Sequence, residues 1–125
     1  MWTEATHAIA YTVFSERDQA LAMARSSVER QLAASAQIQE VTSVRPADGR
    51  VEQVQRFVVA MVTAGPMVQA LKAHVLTNHP DVVPVFFVTP IVAAHDKYLG
   101  WVDDYVDEGR SSDALGVGNV VPGRR

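Results

Sequence analysis

Between His7 and Phe14 the larger side chains Ile9, Tyr11 and Val13 fall on one face with small residues between them, the period of two expected of a strand. The period then changes. Ser15 offers a side-chain oxygen to the first free amides of a helix, Asp18 adds negative charge at its positive end, and Leu21, Ala24, Val28 and Leu32 follow at helical spacing. Such a stripe predicts a helix laid along a sheet. Residues 37–44 and 51–63 read as two extended segments joined through Pro46-Ala47-Asp48-Gly49, where Asp-Gly supplies the positive-φ positions of a tight hairpin. Gly65-Pro66 punctuates again, and Pro66 suits a first helical position because its missing N–H would be unpaired there anyway. Val68, Leu71 and Val75 mark the buried stripe of a second helix that ends by Asn78, ahead of Pro80. Residues 82–88, β-branched and aromatic, predict a buried strand. Residues 96–107 predict a third helix with Tyr98, Trp101, Val102 and Tyr105 on one face.

The order is therefore β-α-β-β-α-β-α. Its first six elements match a ferredoxin-like split βαβ arrangement, so the expected class is α+β, a ferredoxin-like sandwich with an extra C-terminal helix. A chain of 125 residues with 48% hydrophobic content builds one core rather than two. The domain is expected over residues 1–109. Residues 110–125, whose sizeable apolar anchors are Leu115, Val117, Val120 and Val121, are expected as a tail, frayed or docked on a neighbouring subunit.

Charge and composition remove whole classes of function. A formal charge of −3 without a Lys/Arg-rich block argues against a nucleic-acid partner, because phosphate neutralisation needs clustered cations. No apolar run approaches the roughly 20 residues that cross a bilayer, and residues 1–12 lack the basic-then-apolar order of a signal peptide. The expectation is a soluble, cytoplasmic chain with no membrane partner. The absence of cysteine removes disulfides, a thiolate nucleophile and Cys-based zinc sites.

Several short motifs recur in a recognisable order: Gln-Leu-Ala-Ala-Ser-Ala-Gln-Ile at 31–38, Thr42-Ser43 ahead of Asp48-Gly49, Leu71-Lys72-Ala73-His74, Asn78-His79-Pro80 and Tyr98-Leu99-Gly100-Trp101. With this order and spacing, residues 8–108 resemble the CutA family, small proteins named for divalent-cation tolerance. The resemblance implies the same ferredoxin-like fold and a homotrimer in which long strands of neighbouring subunits pair edge to edge, leaving a cleft at each boundary. It also exposes departures. Ala33-Ala34-Ser35 stands where the family usually reads Ala-Ala-Cys, and His79-Pro80-Asp81-Val82-Val83-Pro84-Val85 stands where it reads His-Pro-Tyr-Glu-Val-Pro-Glu. Aromatic residues common in the hairpin are replaced by Val44-Arg45-Pro46-Ala47, and a Lys-Thr pair by Val62-Thr63.

The residues open to chemistry are few. Ser35 occupies the family's cysteine position, but a neutral hydroxyl is a poor ligand for copper or zinc, and no Gly-x-Ser-x-Gly context activates it as a nucleophile. His79 has three available roles: metal ligand, acid or base near neutral pH, or hydrogen-bonding partner at a helix end. Asp81 is its candidate partner in a proton-transfer pair, the alternative being a solvated loop carboxylate. His74 lies five residues before His79, not at the i, i+4 spacing of a paired-histidine zinc motif. Arg45 and Arg56 are candidate forks for a carboxylate or phosphate, with surface solvation as the plain reading. Tyr98 and Trp101 are expected in core packing first, with a second role lining a cleft. His95 and Asp96 are expected to cap or begin the third helix, and His7 is expected to be incidental.

Three functions stay open at this level. The first is a trimeric CutA-like protein of divalent-cation tolerance with no resident cofactor and weak divalent-metal binding. The second is a scaffold recruited as an enzyme for a small molecule, by proton transfer, cyclisation or isomerisation at the inter-subunit cleft. The third is a non-catalytic trimeric sensor or scaffold.

Overall fold

A computed structural model describes residues 6–115, with side chains through Val106. The elements are β1 (His7–Phe14), α1 (Arg17–Glu29), β2 (Ser35–Ala47), β3 (Arg50–Ala64), α2 (Val68–Asn78), β4 (Phe86–Pro90) and α3 (Asp96–Leu115), with a single 3₁₀ turn, Gly65–Met67, leading into α2. The four strands form one sheet in the order β2-β3-β1-β4, and every neighbouring pair is antiparallel. This is the ferredoxin-like arrangement that the element order implies. The β2–β3 turn has Asp48 at φ 50° and Gly49 at φ 78°, between the paired residues Ala47 and Arg50. Both turn residues are left-handed, the mirror-image turn whose twist matches the flanking strands.

One face of the sheet carries the core. Ala10 and Phe14 of β1 and Val59 and Met61 of β3 pack with Ala20, Met23 and Ala24 of α1 and Leu71 and Val75 of α2. Ile9, Tyr11 and Val13 point to the opposite face and are only half-buried, because the alanines of β1 let the helices lie close to the sheet on the other side. On that opposite face Phe87 of β4 stacks on Tyr11 at 4.9 Å and remains 51% exposed.

Four local expectations change. Helix α1 starts one residue later than a Ser15 cap requires. Glu16 occupies the N-cap position in extended geometry, with no side-chain cap bond, so Ser15 lies outside the helix. Its buried stripe is Ala20, Met23, Ala24 and Ser27, while Leu21 is 46% exposed; small residues win because they permit close packing on the sheet. The fourth strand is shorter than the β-branched run suggests. Val82 and Val83 are almost fully exposed and β4 begins only at Phe86, because the chain must first cross from the end of α2 to the sheet edge and Pro84 has no ladder donor. In α3 the buried stripe is Val102 and Val106, and Val106 packs on Ala64 and Met67. Tyr98 and Trp101 are therefore not core residues: they are more than a third exposed and stack on each other at 6.0 Å.

Helix α3 runs on to Leu115, through residues 110–115 of the expected tail. The remainder of that tail, with Val117, Val120 and Val121, lies outside the described residues. Polar contacts among the described residues strap α3 to the domain. His7 Nε2 meets Asp103 Oδ1 at 2.8 Å, Gln31 Nε2 donates to the Tyr105 carbonyl at 2.8 Å, and the Tyr105 hydroxyl donates to the Val28 carbonyl. His7, buried at the start of β1, is thus a tie between the sheet and the last helix rather than an incidental residue.

Candidate functional site

The strands end unevenly, and the unevenness creates a corner. Phe14, the last residue of β1, pairs with Phe57, whereas β3 begins at Arg50. Arg50–Arg56 therefore has β2 on one side and no β1 on the other, and the two strands continue as a ribbon roughly 23 Å long at about 3.3 Å per residue. Residues 79–85 cross beside the end of β1 on their way from α2 to β4 and close the corner over Arg56.

His79, 9% exposed, is held there on every side. Its ring stacks on Phe14 at 4.2 Å and 13°, its Nε2–H donates to the Val13 carbonyl at 2.8 Å, and its Nδ1 accepts from the Asp81 main-chain N–H at 3.1 Å. A ring that accepts at Nδ1 and donates at Nε2 is the neutral tautomer with the proton on Nε2. Both nitrogens are committed to main chain.

Arg56, 6% exposed, lies beside this loop. Its Nη2 is 3.6 Å from Asp81 Oδ2, an ion pair too long for a hydrogen bond, and its buried Nε has no partner. Removing a guanidinium from water and leaving a donor unfilled is unfavourable by about 1–3 kcal/mol. Asp81, about a third exposed at its side chain, marks the solvent side of the corner.

The structure thus brings Arg56, His79 and Asp81 together. It separates the other candidates. Arg45 is paired to Glu52 across the ribbon, Nε to Oε2 at 2.9 Å, and Glu52 is four residues along β3 from Arg56, about 13 Å away. Cross-strand pairing nevertheless puts Arg45, Glu52 and Arg56 on the face that carries Val13 and Tyr11. Ser35 opens β2 opposite Val62, six residues along β3 from Arg56 and about 20 Å from it. Tyr98 and Trp101 sit on the helix that packs against Ala64 and Met67, at the far end of β3.

Among the described residues no group of three His, Cys, Asp or Glu side chains converges as a metal cage. At position 35 the chain offers a serine hydroxyl, a weaker donor toward copper or zinc than a soft thiolate. Two polar clusters escaped sequence reasoning altogether. One is His7–Asp103. The other joins Ser26 Oγ to His74 Nε2 at 2.8 Å, with Asn78 Nδ2 at 3.3 Å from His74 Nδ1. Burial, and secondarily the Arg30 guanidinium, hold the His74 imidazole below its ordinary pKa of 6.5. No local signal could reveal either cluster, since the partners are 96 and 48 residues apart. His95 does act at a helix start, its Nδ1 accepting from the Lys97 N–H at 3.1 Å.

Comparison with known proteins agrees with the fold. A family model described as CutA1 divalent ion tolerance protein matches residues 8–105. The chain is 34% identical over 87 residues to the Protein CutA homolog of Xenopus laevis, covering 69% of this chain and 58% of that protein. The chain thus spans little more than half the length of this curated relative. The crystal structure of the stable protein CutA1 from the psychrotrophic bacterium Shewanella sp. SIB1 superposes with a TM-score of 0.76 at 30% identity, covering 81% of this chain and 95% of that one. CutA from Synechococcus elongatus, in complex with a Bis-Tris molecule, superposes with a TM-score of 0.73 at 22% identity, covering 81% and 94%.

Proposed function

From the premise that the chain belongs to the CutA1 divalent ion tolerance family, we propose that it acts in divalent-cation tolerance as a homotrimer whose ligand site is the Arg56, His79 and Asp81 corner, completed by a neighbouring subunit. One observation carries this reading: a buried arginine whose Nε has no partner lies beside a carboxylate that is about a third exposed. The ribbon supports the assembly. An isolated two-stranded hairpin is marginal in water, and this one exposes Val44 at 62% and Val51 at 69% beyond the end of β1. Pairing with a second copy covers those residues and the free strand edge.

The chemistry of the corner selects the ligand. A guanidinium takes a carboxylate or phosphate oxygen in charge-assisted hydrogen bonds, and here only the Nη2 side, toward Asp81, is near solvent. A small polar organic molecule carrying such a group suits it better than a soft metal ion, for which Ser35 offers no thiolate. The Bis-Tris complex of the Synechococcus protein is in keeping with a small polar organic ligand on this fold. His79 serves here as the rigid wall of the corner, since both of its nitrogens already bond main chain, and this favours binding over proton transfer.

Calorimetry with citrate and inorganic phosphate tests the proposal on the native protein and on Arg56→Gln. Saturable binding by the native chain, lost in Arg56→Gln while the trimer persists, is the expected result. Absence of binding in the native chain, or equal binding in the variant, would remove the site from the corner.

A further inference from the structure

A groove of about 480 Å³ lies between α1 and α2, and a second lobe of about 440 Å³ shares Arg30, His74 and Asn78 with it. Phe14 and Pro80 line the first lobe, so the groove adjoins the corner described above, but none of Arg56, His79 and Asp81 lines either lobe. Its walls are apolar toward both ends, with Ala22 and Met23 on one side and Ala70 and Ala73 on the other. Polar groups gather where the lobes meet.

Those polar groups are ordered by one chain of hydrogen bonds. Asn78 Nδ2 donates to His74 Nδ1 at 3.3 Å and to the His74 carbonyl at 2.8 Å. His74 Nε2–H donates to Ser26 Oγ at 2.8 Å, and the Ser26 hydroxyl donates to the Met23 carbonyl at 3.3 Å. The imidazole is thereby neutral and fixed in direction. Arg30, the C-cap residue of α1, is the one charged residue among the described residues lining the two lobes. Its guanidinium has no hydrogen-bond or ion-pair partner among the described residues. An unpaired, solvent-exposed cation flanked by neutral polar groups and apolar walls presents positive potential at the groove, where it can take an anion in charge-assisted hydrogen bonds.

We propose that this groove binds a small organic anion, its carboxylate or phosphate seated on the Arg30 guanidinium and its apolar body lying along the α1–α2 walls. A dianionic inorganic ion satisfies the cation but not the walls. A neutral apolar molecule satisfies the walls but leaves Arg30 as it is. Only a ligand with both parts uses what the groove offers, and the planar fork of arginine favours the two oxygens of a carboxylate or phosphate.

NMR titration of the full chain with benzoate, phenyl phosphate and inorganic phosphate tests this. The expected result is saturable shifts of the His74 and Asn78 side-chain resonances with benzoate or phenyl phosphate, at least about tenfold tighter than any response to inorganic phosphate. Arg30→Gln should weaken binding about tenfold or more, and Arg30→Lys should restore part of it. Arg30 is exposed, so both variants should melt like the native protein. Arg56→Gln should leave groove binding unchanged, which separates this site from the corner. The inference is overturned if neither organic anion produces saturable shifts, if Arg30→Gln binds as well as the native chain, or if inorganic phosphate binds as tightly as phenyl phosphate.

Discussion

Replacing His79 with alanine removes three interactions at once, and their sum sets the expected size of the effect. The hydrogen bond to the Val13 carbonyl and the one from the Asp81 N–H are each worth about 1 kcal/mol net. The stack on Phe14 adds about 0.5–1.5 kcal/mol beyond its area. The expected loss is therefore about 3 kcal/mol, which in a domain of this size lowers the melting temperature by roughly 12 °C at about 4 °C per kcal/mol. His79→Phe keeps the stack and the volume but leaves both main-chain groups unpaired, and should lose about 2 kcal/mol. Thermal and denaturant unfolding at one fixed protomer concentration measure both variants, since melting of an oligomer depends on concentration. Citrate binding is followed in parallel on the folded fraction. A His79→Ala protein that stays within about 0.5 kcal/mol of native stability, yet loses binding or activity, would refute the structural role and return the imidazole to chemistry.

Copper and zinc affinity should be weaker than micromolar in the native chain and should rise in Ser35→Cys, which restores a soft thiolate; stoichiometric tight binding by the native protein in calorimetry would contradict the donor argument. Val58→Pro should dissociate or unfold the protein, because Val58 sits in an inner strand opposite both Val13 and Gln39, and circular dichroism with size-exclusion chromatography separates the two outcomes. His74 should make stability acid-sensitive. Its pKa is lower in the fold than its ordinary 6.5, so the unfolded chain binds the extra proton, and stability present above pH 6.5 falls as pH drops through the lower folded-state value. His74→Gln removes that titration, and a melting temperature whose acid-side decline is unchanged by the substitution would contradict it.

The parts of the fold that could be read from sequence are those with a local cause. Asp48-Gly49 dictates its own turn, Pro80 stops α2 where its missing donor and its clash demand, and the alternation of residues 7–14 gives β1 its bounds. What escaped has a non-local cause. Val82 and Val83 favour a strand by type, but the distance between the end of α2 and the sheet edge turns them into an exposed crossing. Leu21 and Ala20 lie on adjacent faces of one helix, and only the closeness of the sheet decides that the alanine is buried. Tyr98 and Trp101 share a helical face with Val102, yet the buried stripe is centred on Val102 and Val106 and leaves the aromatic pair at its edge. At the candidate site, His79 and Asp81 are close in sequence, but they meet through the Asp81 main-chain N–H and not as a proton-transfer pair of side chains, the Asp81 carboxylate lying nearer Arg56. The placement of Arg56 beside them depends on where β1 ends and β3 does not. Arg45, Ser35, Tyr98 and Trp101 lie away from that corner within the chain.

Completion of the Arg56 corner and of the exposed ribbon by neighbouring copies is tested most directly by the mass of the protein in solution. Light scattering at micromolar chain concentration should report three times the chain mass of 13.6 kDa, about 41 kDa. A particle of 13.6 kDa under the same conditions would contradict it, because the ribbon and the unpartnered Arg56 Nε would then have no neighbouring subunit to complete them.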